Sequence, residues 1–156
     1  HLGEQQQWGK WTGSDRATKV PLLVVPPKSR AADVRTGVKC DRPVSLIDLY
    51  LTLIDLCGLP TKTDLDGASL LPLLANPEAP REEPVITTFD RGNFSVRAGR
   101  WRFIHYEDGE EELYDHRADP HEWTNLIGDA GHEEVLRRLR DRLPKMPAAP
   151  LGKRAK

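Results

Sequence analysis

The residues in this chain that could do chemistry are few and scattered. Five histidines (His1, His105, His116, His121, His132) and two cysteines (Cys40, Cys57) show no metal-ligand spacing, with no Cys-x-x-Cys pair and no spaced Cys/His set. A glycine-rich phosphate loop, a Gly-x-Ser-x-Gly elbow and a His-Glu-x-x-His helix are all missing. Trp101, Tyr106, Tyr114 and Trp123 look like a sugar-stacking set, but at alternating strand positions aromatics read as core. Lys10 stands in a polar loop, where a lysine is ordinarily a solvated surface residue. Spacing alone names no enzyme.

The bulk numbers narrow the classes. At 156 residues the chain is one domain or a piece of a larger one, and its opening at His1 rather than Met suggests a piece. Net charge is −1, with 30% charged and 38% hydrophobic residues. That balance suits a globular protein and argues against a nucleic-acid partner, which needs a basic field. The basic end at residues 153–156 reads as a solvated terminus. No apolar run approaches the roughly 18 residues of a membrane span. The longest, residues 46–59, is broken by Asp48 and Asp55.

The elements that must position these residues fall into two sets. Residues 20–25, Val-Pro-Leu-Leu-Val-Val closed by Pro26-Pro27, predict a buried strand of a parallel sheet. Residues 45–57 predict a helix capped by Ser45, with Asp48 completing a capping box. Leu46, Leu49, Tyr50, Leu53, Ile54 and Cys57 form its apolar side, and Gly58 and Pro60 stop it. A helical turn is expected at residues 14–18 and a short helix at 68–74. Prolines and charges at 75–84 mark a boundary, giving regions 1–80 and 81–156. Beyond it, strands are expected at 85–89, 93–98, 101–106 and 111–114, with tight turns at Gly99 and Gly109. Asp119-Pro120-His121-Glu122 reads as a structural turn. Residues 133–143 predict an amphipathic helix that covers one face of the sheet.

Four stretches, in order, resemble the sulfatase family, most closely its iduronate-sulfatase-like members. They are His1-Leu-Gly-Glu-Gln-Gln-Gln-Trp-Gly-Lys10 with Ala17-Thr-Lys-Val-Pro-Leu22; residues 45–60; Leu65-Asp-Gly-Ala-Ser-Leu-Leu-Pro-Leu-Leu74; and Glu112-Leu-Tyr-Asp-His-Arg-Ala-Asp-Pro-His-Glu-Trp-Thr-Asn-Leu126. The resemblance covers most of residues 1–126. It implies the C-terminal part of an alkaline-phosphatase-like α/β fold, in which residues 1–80 end the large domain. Residues 81–156 would then form a small antiparallel subdomain packed by a C-terminal helix.

The implied activity is hydrolysis of a sulfate ester, on a sulfated small molecule, sugar or glycosaminoglycan. It would use a formylglycine nucleophile and Ca²⁺. Neither is expected within this chain. Cys40-Asp-Arg-Pro-Val44 and Cys57-Gly-Leu-Pro-Thr61 both miss the Cys/Ser-x-Pro-x-Arg pattern, and the metal ligands would lie upstream of His1. Lys10 matches the lysine that contacts the sulfate, and His1 falls near the expected pocket mouth as a substrate contact. The chain alone is expected to be inactive, to partner the rest of a sulfatase chain, and to dimerise or swap domains when isolated. The family is usually exported to the periplasm or outside the cell. Two alternatives remain: a phosphoester or phosphonate monoester hydrolase of the same superfamily, and a non-catalytic binding or assembly module.

Overall fold

The computed structural model describes residues 3, 6, 8–30 and 32–145. They divide into two compact units, His1–Val20 with Pro84–Lys156, and Pro21–Glu83. Among the described residues no helix is long and apolar enough to cross a membrane.

The first unit is a four-stranded antiparallel meander: β1 (Val85–Asp90), β2 (Asn93–Ala98), β3 (Trp101–His105) and β4 (Glu111–Asp115). Glycines at positive φ (Gly92, Gly99 and Gly109) turn the chain between them, as the turn chemistry requires. Register follows, with Val96 opposite Phe103 and Phe103 opposite Leu113. Those residues share the face covered by α4 (Glu133–Arg140), whose Leu136 and Leu139 join Val96, Trp101, Phe103 and Leu113 in the core. Glu111 in β4 binds Arg140 in α4, with Nε 3.0 Å from Oε1 and 3.1 Å from Oε2. Arg137, Arg138 and Arg140 lie on the exposed side of α4.

The other face of the sheet carries Ser95, Arg102, Ile104 and Tyr114, and these are buried too. Residues 12–18, including the one-turn helix α1 (Asp15–Thr18), lie against it. These compact units divide the chain differently from the expected regions 1–80 and 81–156. The boundary falls at 83/84, and residues up to Val20 group with the sheet because their backbone bonds to it.

The second unit centres on α2 (Asp48–Cys57) and α3 (Leu71–Ala75). Asp48 is 1% exposed and organises it. Its Oδ2 accepts from Ser45 N at 2.7 Å and from Arg81 Nη2 at 2.9 Å, and its Oδ1 accepts from Ala68 N at 2.9 Å. Thr52 Oγ1 donates to the Asp48 carbonyl and accepts from Leu70 N. The acid half of the capping box forms, but no side-chain cap does, and α2 starts three residues later than expected. Gly58, at φ 63°, ends the helix in the left-handed region.

Two expectations fail here. Residues 20–25 form no strand, and Leu23 and Val25 are 85% and 88% exposed. A strand needs neighbours to bond its backbone, and none among the described residues pairs with it. The buried side of α2 is Asp48, Thr52, Ile54 and Leu56, whereas Leu46, Tyr50, Leu53 and Cys57 are exposed. A buried ion pair and a hydrogen-bonded threonine, rather than the leucine stripe, decide which side faces in.

Candidate functional site

Lys10 lies exposed on the loop that leads into the sheet-bound segment, between two exposed tryptophans, Trp8 and Trp11. His1 lies outside the described residues. What holds the loop is downstream. The Gly13 carbonyl accepts from Ser95 Oγ at 2.6 Å and from Arg102 Nη1 at 2.9 Å. A Cβ on Gly13 would sit 2.7 Å from Phe89 Cε1 and 2.9 Å from Ser95 Cβ, so only glycine lets the backbone lie this flat on the strands.

A buried charge cluster continues from there. Arg102 Nη2 meets Asp15 Oδ1 at 2.9 Å, and its Nε lies 2.6 Å from Glu122 Oε1. Glu122 Oε2 accepts from Asp15 N at 2.8 Å, and Glu122 Oε1 is 2.6 Å from His116 Nε2. Burial alone would push the Asp15 carboxyl up. Arg102, His116 and Lys19 together outweigh burial and hold it below the ordinary 3.8. Glu122 sits at φ 60°, a left-handed conformation that costs a non-glycine residue about 1 kcal/mol and persists where contacts over-determine it.

Asp15, His116 and Glu122 are a possible metal-ligating trio, with donor atoms within 4.8 Å of one another. They do not fit Ca²⁺. That ion takes six to eight oxygen ligands, whereas one of these three donors is an imidazole. The guanidinium of Arg102 already stands between the two carboxylates as their counter-charge. A cation would have to displace it.

A cleft of about 140 Å³ lies on the same face, lined in part by Thr12, Ser14, Tyr106, Glu112, Tyr114 and Trp123. Both tyrosine hydroxyls donate to the two oxygens of Glu112 at 2.9 Å. Burial first, then Glu112, pushes both phenols well above their ordinary value, so they stay protonated donors. A carboxylate that takes both donors makes this cleft unsuited to sulfate. Of the aromatic set, Trp101 and Tyr114 are buried as core, whereas Trp123 is 61% exposed at the rim.

The structure thus brings Arg102, Glu122 and His116 onto the segment that carries Lys10, and none of the three stood out among the candidate residues. For Arg102 a signal existed: a charge inside the apolar run Trp101-Arg102-Phe103-Ile104 must find a partner when buried. Glu122 sat in a turn that read as structural, and nothing local marks its carboxylate as buried.

Residues 3–149 match the protein family described as N-sulphoglucosamine sulphohydrolase, C-terminal. A sulfatase of Formosa agariphila is 33% identical over 147 residues, covering 94% of this chain and 28% of that protein. Arylsulfatase K of Gallus gallus is 36% identical over 138 residues, covering 79% of this chain and 25% of that protein. Among solved structures, BT4656 in complex with its substrate D-glucosamine-2-N,6-O-disulfate aligns with TM-score 0.53 and 26% identity, over 60% of this chain and 22% of that one. BT1596, a 2-O GAG sulfatase, aligns with TM-score 0.50 and 31% identity over the same shares. The chain therefore spans about a quarter of the length of the relatives it matches.

Proposed function

Because this chain belongs to the N-sulphoglucosamine sulphohydrolase C-terminal family, we propose that the protein carrying it hydrolyses a sulfate ester on a sugar or glycosaminoglycan. The chain is C-terminal sulfatase sequence, and its fold is the corresponding part of the alkaline-phosphatase-like α/β architecture. The observation that carries the proposal is the family match itself. It extends over residues 3–149, taking in the Lys10 loop and the two strands whose Ser95 and Arg102 hold Gly13.

In this reading Lys10 is the substrate-contacting cation. A sulfate ester is anionic, and charge moves to the leaving oxygen as the bond breaks. A fixed ammonium aimed at those oxygens stabilises the transition state more than the ground state. The sugar preference is supported by the matched neighbour that holds a disulfated glucosamine. The ligands of Ca²⁺ and the formylglycine nucleophile would lie on residues outside this chain. His1 as a substrate contact, and a periplasmic or extracellular location, belong to the same proposal.

The test is steady-state kinetics on the full-length protein with an aryl sulfate and a sulfated glucosamine. Lys10→Ala should lower kcat/KM by about 10²–10³, with an unchanged melting temperature. Lys10→Arg should restore only part, because a planar fork does not replace a compact ammonium. Near-normal turnover by Lys10→Ala would return Lys10 to the surface.

A further inference from the structure

We infer that Arg102, Ser95 and Glu122 are positioning residues that fix the Lys10 loop by pinning residues 13–18 to the second face of the sheet. The inference rests on the role of Lys10 proposed above.

Three observations converge. The Gly13 carbonyl, just beyond Lys10 in the chain, is gripped by two buried donors, Ser95 Oγ and Arg102 Nη1. Gly13 also lies so close to Phe89 and Ser95 that its backbone has no room to shift inward. The start of α1 is then held through Asp15, whose backbone N–H donates to Glu122 and whose carboxylate binds Arg102.

The choice of residues bears on the role. The core of the opposite face is apolar, with Val96, Trp101, Phe103 and Leu113 packed against α4, and its Glu111–Arg140 ion pair lies outside that core, with Arg140 49% exposed. Here the side chains of Arg102 and Glu122 are only 4% and 2% exposed. Buried ion pairs add little stability over apolar packing, so their use on this face fits a role in geometry. Arg102 donates to three acceptors at once, the Gly13 carbonyl, Ser95 Oγ and Asp15 Oδ1, and its charge is also paired with Glu122. A rigid planar fork presents its donors from separate nitrogens in fixed directions, whereas an ammonium presents all three from one point. A transition-state donor needs such placement, since a misplacement of about 1 Å can cost on the order of 10²-fold in rate.

The experiment uses the full-length protein. Arg102→Lys and Ser95→Ala are made alone and combined with Lys10→Ala. Turnover of an aryl sulfate is measured together with amide hydrogen exchange. Each single variant should lower kcat by about tenfold while KM moves less than about twofold. In the Lys10→Ala background the same changes should cost less than about twofold more, because residues that act through one another are not additive. Exchange at Asp15, Ala17 and Thr18 should quicken while the β2–β3 ladder keeps its protection. If Arg102→Lys fails to fold, Ser95→Ala decides the matter alone. Additive losses, or unchanged exchange at residues 15–18, would overturn the positioning role and leave Lys10 standing. A fully active Lys10→Ala would instead remove the Lys10 assignment, and the positioning role with it.

Discussion

Arg102 Nη1 lies 2.9 Å from the carbonyl oxygen of Gly13, 89 residues earlier in the chain. With Ser95 Oγ on the same oxygen and Arg102 Nη2 on Asp15, that contact joins the loop sequence to the sheet. It also explains why both faces of β2 and β3 are buried in so small a unit. α4 covers one face, and residues 12–18 cover the other.

Gly13→Ala should destabilise the first unit by about 1–3 kcal/mol, the range for forcing extra volume into a packed site. Its Cβ would meet Phe89 and Ser95 inside contact distance. Urea denaturation followed by tryptophan fluorescence reads the change. A midpoint equal to the parent's would mean that the segment can lift without cost.

Arg81→Met should destabilise the second unit by about 3–5 kcal/mol, because it strands the buried Asp48 carboxylate. The two groups lie 2.9 Å apart, with side-chain exposures of 9% and 1%. Pairing the change with Asp48→Leu should recover part of the loss, since the uncompensated charge is then gone. Equal stability of parent and single variant would place the weight on the backbone contacts of Asp48 instead.

Acid should weaken the first unit through two carboxyls. Glu111 is held below its ordinary 4.5, chiefly by hydrogen bonds from Arg140, and Asp15 below 3.8. Both folded values are depressed, so their contribution is fully present above the unfolded values. It is lost as pH falls through the folded ones, in the window that opens below about pH 4.5. Glu111→Gln should flatten part of this acid limb in urea midpoints measured against pH. The same slope in parent and variant would exclude Glu111 as a contributor.

The isolated 156-residue chain should self-associate. Leu23 and Val25 are almost fully exposed, and Tyr50 and Leu53 of α2, with Leu46 just before it, add a half-exposed apolar patch. Light scattering should report oligomers that shrink when Leu23 and Val25 are both changed to lysine. A clean monomer of the unaltered chain at high concentration would count against the exposed segment as the cause.

Much of the fold was legible because its signals are local. β2 occupies residues 93–98 as expected, since alternation and the flanking glycine turns define a hairpin within a dozen residues. α4 likewise shows its buried leucines at helical spacing. Residues 20–25 misled because an apolar β-branched run shows only what a segment could do once neighbours flank it. On α2, leucines outnumber the polar residues, yet Asp48 faces in because Arg81 and two backbone N–H groups meet it there.

From the sequence alone came the hairpins, the amphipathic helix, the family resemblance and Lys10 as a candidate, each signal carried by stretches of residues close together in the chain. Only the tertiary structure decided that Gly13, Asp15, Arg102, His116 and Glu122 form one network on the loop's anchor, with Arg102 and Glu122 at its buried centre. The physical reason is that a charge can be buried only where folding supplies its counter-charge. For the Glu122 carboxylate the counter-charge is Arg102, and the Asp15 amide, 107 residues away, donates to its other oxygen.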